Sequence, residues 1–107
     1  MTGQNPPLDE DSLANASLVE IHTALFLQLI HGHGQMALTF LGLLPNPQSG
    51  ETEEPDLQAA KIFVDQLEML ESKTKGNLSS FEKTELERVL TITKAAWVDL
   101  LGNKSGH

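Results

Sequence analysis

ALFLQLIHGHGQMALTFLGLL, residues 24–44, is a 21-residue run without a charged side chain. It lies inside a wider block, residues 21–50, that holds no Asp, Glu, Lys or Arg. It is dense in Leu, Ile and Phe and shows no alternation of apolar and polar residues, which predicts a helix rather than a strand. Leu25, Phe26, Leu27, Leu29 and Ile30 point in every direction round a helical wheel, so such a helix has to be covered on most of its faces. The length also fits a membrane span, which needs about 20 residues. The details argue against one. Gln28, His31, His33 and Gln35 occupy the centre, and Glu20 and Glu51 flank the run with no Lys or Arg to anchor it. A helix buried in protein is the first reading, and a membrane-associated subunit a lesser alternative.

On the N-terminal side, residues 1–14 carry Pro6, Pro7 and the consecutive acids Asp9, Glu10 and Asp11, and predict a disordered acidic tail. Ser17-Leu18-Val19-Glu20 has the pattern of a capping box and sets the start of helix 1 near residue 18. Gly32 and Gly34 predict a kink in this long helix, or a place where another backbone comes close; a break into two shorter helices is the alternative. Pro45 and Pro47 are expected to stop it near residue 44.

Beyond the turn at Pro47–Gly50, Asp56 is the expected N-cap of helix 2, with Glu51, Glu53 and Glu54 adding negative charge at the positive end of its dipole. Ala60, Phe63, Leu67 and Leu70 recur at spacings of 3, 4 and 3. Gly76 suits a left-handed helix end, and Leu78 is placed to pack back on the last turn. Helix 3 opens on a second capping box, Ser79-Ser80-Phe81-Glu82, and Leu86, Leu90, Thr93, Trp97 and Leu100 form a heptad seam. Gly102 is expected to end it, with residues 102–107 a flexible tail. The whole reads as one all-α domain over residues 15–101, a long apolar helix 1 against an antiparallel hairpin of helices 2 and 3.

The chain has 107 residues, no Cys and a formal net charge of −8. No Cys excludes a disulfide framework, a thiol nucleophile and a Cys-based metal centre. The acidity argues against nucleic acid as a partner. The first Lys or Arg is Lys61, so the preceding residues lack the positive region of a secretory signal; a cytoplasmic location is the expectation. Helices 2 and 3 are too short to cover helix 1 on all sides, which predicts a homo-oligomer, most simply a dimer. The expected interface residues are Leu25, Phe26, Leu29, Ile30, His33, Met36, Phe40 and Trp97. No catalytic triad, phosphate loop or HExxH motif is present, so no catalytic residue and no cofactor is assigned. His31 and His33 are the weak candidates for a metal ligand or a pH-responsive site, in the alternative reading of a ligand-binding helical protein.

Two segments, residues 41–50 (LGLLPNPQSG) and residues 56–82 (DLQAAKIFVDQLEMLESKTKGNLSSFE), carry a resemblance. They resemble a bacterial family of small soluble proteins classed as a domain of unknown function. Its members read LGLxPxPxxG, then an acidic helix with AKxx[IV]DxLxML, then KTKGNL. The resemblance runs over about residues 25–100. It implies a compact helical fold and a bacterial source, and it supplies no activity and no catalytic residues. The segment His31–Gln35, HGHGQ, departs from the small and aliphatic residues of that family. A non-enzymatic homo-oligomeric interaction module, with a further protein partner as a possibility left open, is the functional expectation.

Overall fold

The computed structural model describes residues 10–105, and side chains from Leu18 to Gly102. Three helices account for the fold: α1 (Glu10–Phe40), α2 (Leu57–Lys73) and α3 (Ser80–Ser105). No strand occurs among the described residues. Each helix packs on both of the others. Thr23 and His31 of α1 meet Glu82 and Glu85 of α3 in the same order, so α1 and α3 run parallel. α2 runs against both, with its start beside the end of α1 and Trp97, and Leu67 and Leu70 in the core beside Phe26 and Ile30.

Helix starts follow local chemistry. Asp56 caps α2, its Oδ1 accepting the Ala59 N–H at 3.0 Å. The Ser79–Glu82 box is formed in both directions: Ser79 Oγ accepts the Glu82 N–H at 3.1 Å, and Glu82 Oε1 accepts the Ser79 N–H at 2.9 Å. The box at Ser17–Glu20 does not start a helix. α1 already begins at Glu10, so the tail expected over residues 1–14 is helical from Glu10 on; residues 1–9 lie outside the described ones. α1 also runs unbroken through Gly32 and Gly34. At the other end α3 continues through Gly102 to Ser105, past the stop expected there, while residues 106–107 lie outside the described ones.

The end of α1 is set by Gly42 rather than by the prolines. Gly42 has φ +77, its N–H donates to Thr39 O at 3.0 Å, and the Leu43 N–H donates to Leu38 O at 2.9 Å. This is a Schellman motif with glycine at the left-handed position. A Cβ there would sit 2.6 Å from the Glu53 carbonyl, because the chain entering α2 lies against Gly42, and the Asp56 N–H donates to Phe40 O at 2.7 Å. The LGLxPxPxxG stretch is thus a folded connector. Asn46 ties it together, accepting from Gln48 N–H at 2.8 Å and donating to Glu53 at 3.1 Å, and Gly50 turns it at φ +75.

The core is Ile30, Leu67, Leu86, Val89 and Leu90, with Phe26, Leu27, Leu70 and Leu78 packed around it. Leu78 packs back as the helix-end pattern requires. On α1 the enclosed positions Ile30, Gly34, Ala37 and Leu41 are spaced 4, 3 and 4, one face of the helix. Gly34 is the close approach to α3: a Cβ on it would lie 2.7 Å from Val89 Cγ1. The molecule is long and narrow, 67 × 34 × 15 Å, with a radius of gyration of 18.6 Å where a compact chain of this length has about 13 Å. The length comes from overhangs: the first third of α1 extends past α3 at one end, and the last turns of α3 extend past α1 at the other.

Gly42→Ala combines a positive φ with a backbone clash and should cost about 2 kcal/mol or more, against about 1 kcal/mol for Gly50→Ala, whose surroundings are open. Gly34→Ala should cost about 1–3 kcal/mol through overpacking on Val89. Urea unfolding followed by circular dichroism ranks the three.

Candidate functional site

The two faces of α1 divide the expected interface residues. Ile30 is fully enclosed in the chain's own core, so it does not face outward as expected for an interface residue. Phe26 packs on the same core. Phe40 stacks on Phe63 with ring centres 5.7 Å apart. Trp97 turns its indole inward, Nε1 donating to Leu57 O at 2.9 Å, which ties α3 to the start of α2. Leu25 and Leu29 remain outside, 55% and 43% exposed, and Met36 is half-buried on the same side.

These three belong to a longer feature. Leu18, Ile21, Leu25, Leu29, Gly32 and Met36 recur at spacings of 3, 4, 4, 3 and 4, a continuous stripe on the side of α1 away from Ile30, Gly34, Ala37 and Leu41. Leu18 and Ile21 are each 52% exposed. Neither is among the interface residues expected from the sequence. Their 3–4 spacing to Leu25 was the signal available. Leu18–His22 lie in the overhang of α1 and all five are exposed. Along the C-terminal half of the stripe, His33 and Phe40 lean on Phe63, which widens the apolar surface onto α2.

The two histidines are not brought together. His31 points toward α3, where its Nε2–H donates to Glu85 Oε1 at 3.1 Å. Glu85 also accepts from Arg88 at 2.9 Å, so a three-membered polar chain closes the edge of the α1–α3 contact. His33 faces the other way: Nδ1–H donates to Leu29 O at 3.0 Å, and its ring meets Phe63 edge-on, centres 5.5 Å apart. Among the described residues no group of three or more His, Cys, Asp or Glu is gathered that could hold a metal ion. No helix of the described residues is long and apolar enough to cross a membrane.

Two hollows border these elements. One of about 300 Å³ lies between α1 and α3, lined by His31, Gly34, Gln35, Leu38, Arg88 and Ile92. Another of about 690 Å³ lies where α2 ends and α3 begins, with Lys75 and Lys83 facing Glu71 and Glu87. Both are open to solvent, and neither gathers a nucleophile with a base, so attention falls on the exposed stripe of α1.

Glu82 and Glu85 are held below the ordinary carboxylate value of 4.5. For Glu82 the main cause is the Ser79 backbone N–H, then the Thr23 hydroxyl, which donates at 2.8 Å from α1. For Glu85 it is the hydrogen bond from Arg88, then the one from His31. Both carboxylates thus bind protons less readily folded than unfolded. The stability they contribute is present above the ordinary value and is lost as pH falls through it toward the lowered ones. Urea midpoints at pH 7 and pH 3 should show a smaller acid loss for Glu82→Gln than for the unsubstituted chain.

A family model described as a domain of unknown function, DUF1844, matches residues 23–99. No curated protein and no solved structure matches the chain.

Proposed function

The chain belongs to DUF1844, a domain family of unknown function, and from that premise we propose that it is a non-enzymatic assembly module that pairs with a second copy of itself through the outward stripe of α1. The observation that carries this reading is the exposure of Leu18, Ile21, Leu25 and Leu29 on one helix face, each between 43% and 55% accessible. A soluble monomer rarely leaves so continuous an apolar strip in water. The strip also lies almost wholly in the block without Asp, Glu, Lys or Arg, residues 21–50. Two copies that each carry a net charge of −8 repel one another, so their contact is favoured where neither side presents charge. A basic partner would instead be drawn to the acidic residues around Glu51–Asp56, on a different part of the surface.

Sedimentation at micromolar concentration tests the reading. The unsubstituted protein should run at twice the 11.7 kDa of one chain or more. Leu25→Glu with Leu29→Glu puts four like charges into the pair and should run at the single-chain mass with its helical circular dichroism retained. An unsubstituted chain that sediments at 11.7 kDa overturns the proposal.

A further inference from the structure

We infer that the second copy lies antiparallel along α1, with Ile21 of each chain seated over Gly32 of the other; this rests on the pairing proposed above and adds its direction and register. The stripe is uneven in size. Its N-terminal half offers Leu18, Ile21 and Leu25, all more than half exposed, whereas at Gly32 nothing lies within 4 Å of where a side chain would begin. Gly32 is therefore a dent in the outer face of α1, unlike Gly34, whose missing side chain is filled by Val89 of the same chain. Two copies running in opposite directions bring Leu18 over Met36, Leu25 over Leu29 and Ile21 over Gly32, so that each projecting side chain meets a lower one and interdigitates. A parallel pair in register sets Ile21 against Ile21 and Gly32 against Gly32. That leaves a crowded layer and an empty one, and both are costly.

The overhang points to the same arrangement. Leu18–His22 extend past the chain's own α3 contact and are exposed on every side of the helix. An isolated helical end of this length is marginal in water. In the antiparallel pair, each overhang lies along the partner's residues 32–36, beside the shoulder built by His33, Phe40 and Phe63. The segment it meets there carries no charge to desolvate. The stripe from Leu18 to Met36 spans 19 residues and about 28 Å, so a band about 11 Å wide along it buries roughly 600 Å² over both copies. This is the size of a weak, reversible pair, and pairing through the overhangs alone gives a fraction of it. The two helix dipoles also oppose each other in this direction.

The experiment exchanges the sizes of the two partners. Gly32→Leu is accommodated by the single chain, because nothing surrounds the position, and should weaken the dimer at least tenfold with helicity retained. Ile21→Ala with Gly32→Leu restores a large residue opposite a small one and should recover most of the lost affinity. A Gly32→Leu protein that dimerises as tightly as the unsubstituted chain overturns the register. Failure of the double variant to recover overturns the Ile21–Gly32 contact. Direction is read from disulfides, since the chain has no native Cys. Leu18→Cys with Met36→Cys should cross-link into a covalent dimer on mild oxidation, and Leu18→Cys alone should not. Efficient cross-linking of Leu18→Cys alone overturns the antiparallel direction while leaving dimerisation standing, whereas a monomeric unsubstituted chain removes the pairing itself.

Discussion

The structure depends on one helix that is apolar on two opposite faces, of which the other described helices enclose one. The inner face of α1, through Ile30, Gly34, Ala37 and Leu41, is enclosed by α2 and α3. That enclosure supplies the core and fixes the order of the helices. Among the described residues no helix lies over the outer face from Leu18 to Leu29, because α2 has 17 residues and α3 follows the inner side. Of the described residues 31 lie in α1, 17 in α2 and 26 in α3, and both shorter helices pack on the inner side of the long one. The elongated outline follows from the same allocation.

What makes the inner face work is close approach. Gly34 lets α1 come near Val89 of α3, and Gly42 lets the connector lie against the end of α1, where the Asp56 N–H reaches the Phe40 carbonyl. The helix polarity is thereby set at two points about eight residues apart, one by packing and one by hydrogen bonding. Polar ties add specificity at the periphery rather than bulk stability. Thr23 with Glu82 and His31 with Glu85 hold the parallel pair α1–α3 in register, and Trp97 with Leu57 does so for α2–α3. His31 and Glu85 are both partly exposed, so their bond contributes orientation more than energy.

Much of this was legible from residues alone, where the deciding chemistry is local. Asp56, Ser79 with Glu82, Gly76 and the seam from Leu86 to Trp97 each act within one or two turns of themselves, and the structure uses them so. The glycines were harder. Gly32, Gly34 and Gly102 lie inside helices, while Gly42 ends α1 and Gly76 turns the chain two residues past the cap of α2. Nothing in the residue type separates the two groups. Gly42 is distinguished by Glu53 and Pro55 lying against it from thirteen residues away at the farthest, a tertiary contact that no local pattern encodes. The Ser17–Glu20 box misled for a related reason. A capping pattern predicts a start only if the preceding residues are not helical, and here the helix already runs through it from Glu10.

The histidines show how the same logic limits functional reading. His31 and His33 are two residues apart, close in sequence and therefore on nearly opposite sides of a helix. Helical geometry therefore separates the two rings. His31 closes the inner contact with α3, and His33 stands at the edge of the outer stripe against Phe63. The two residues therefore act on different contacts: His31 on the fit of α1 to α3, and His33 on the outer side of α1 beside Phe63 of α2. The segment His31–Gln35 thus bears on the outer side and the inner contact separately, and a substitution at one histidine cannot stand in for the other.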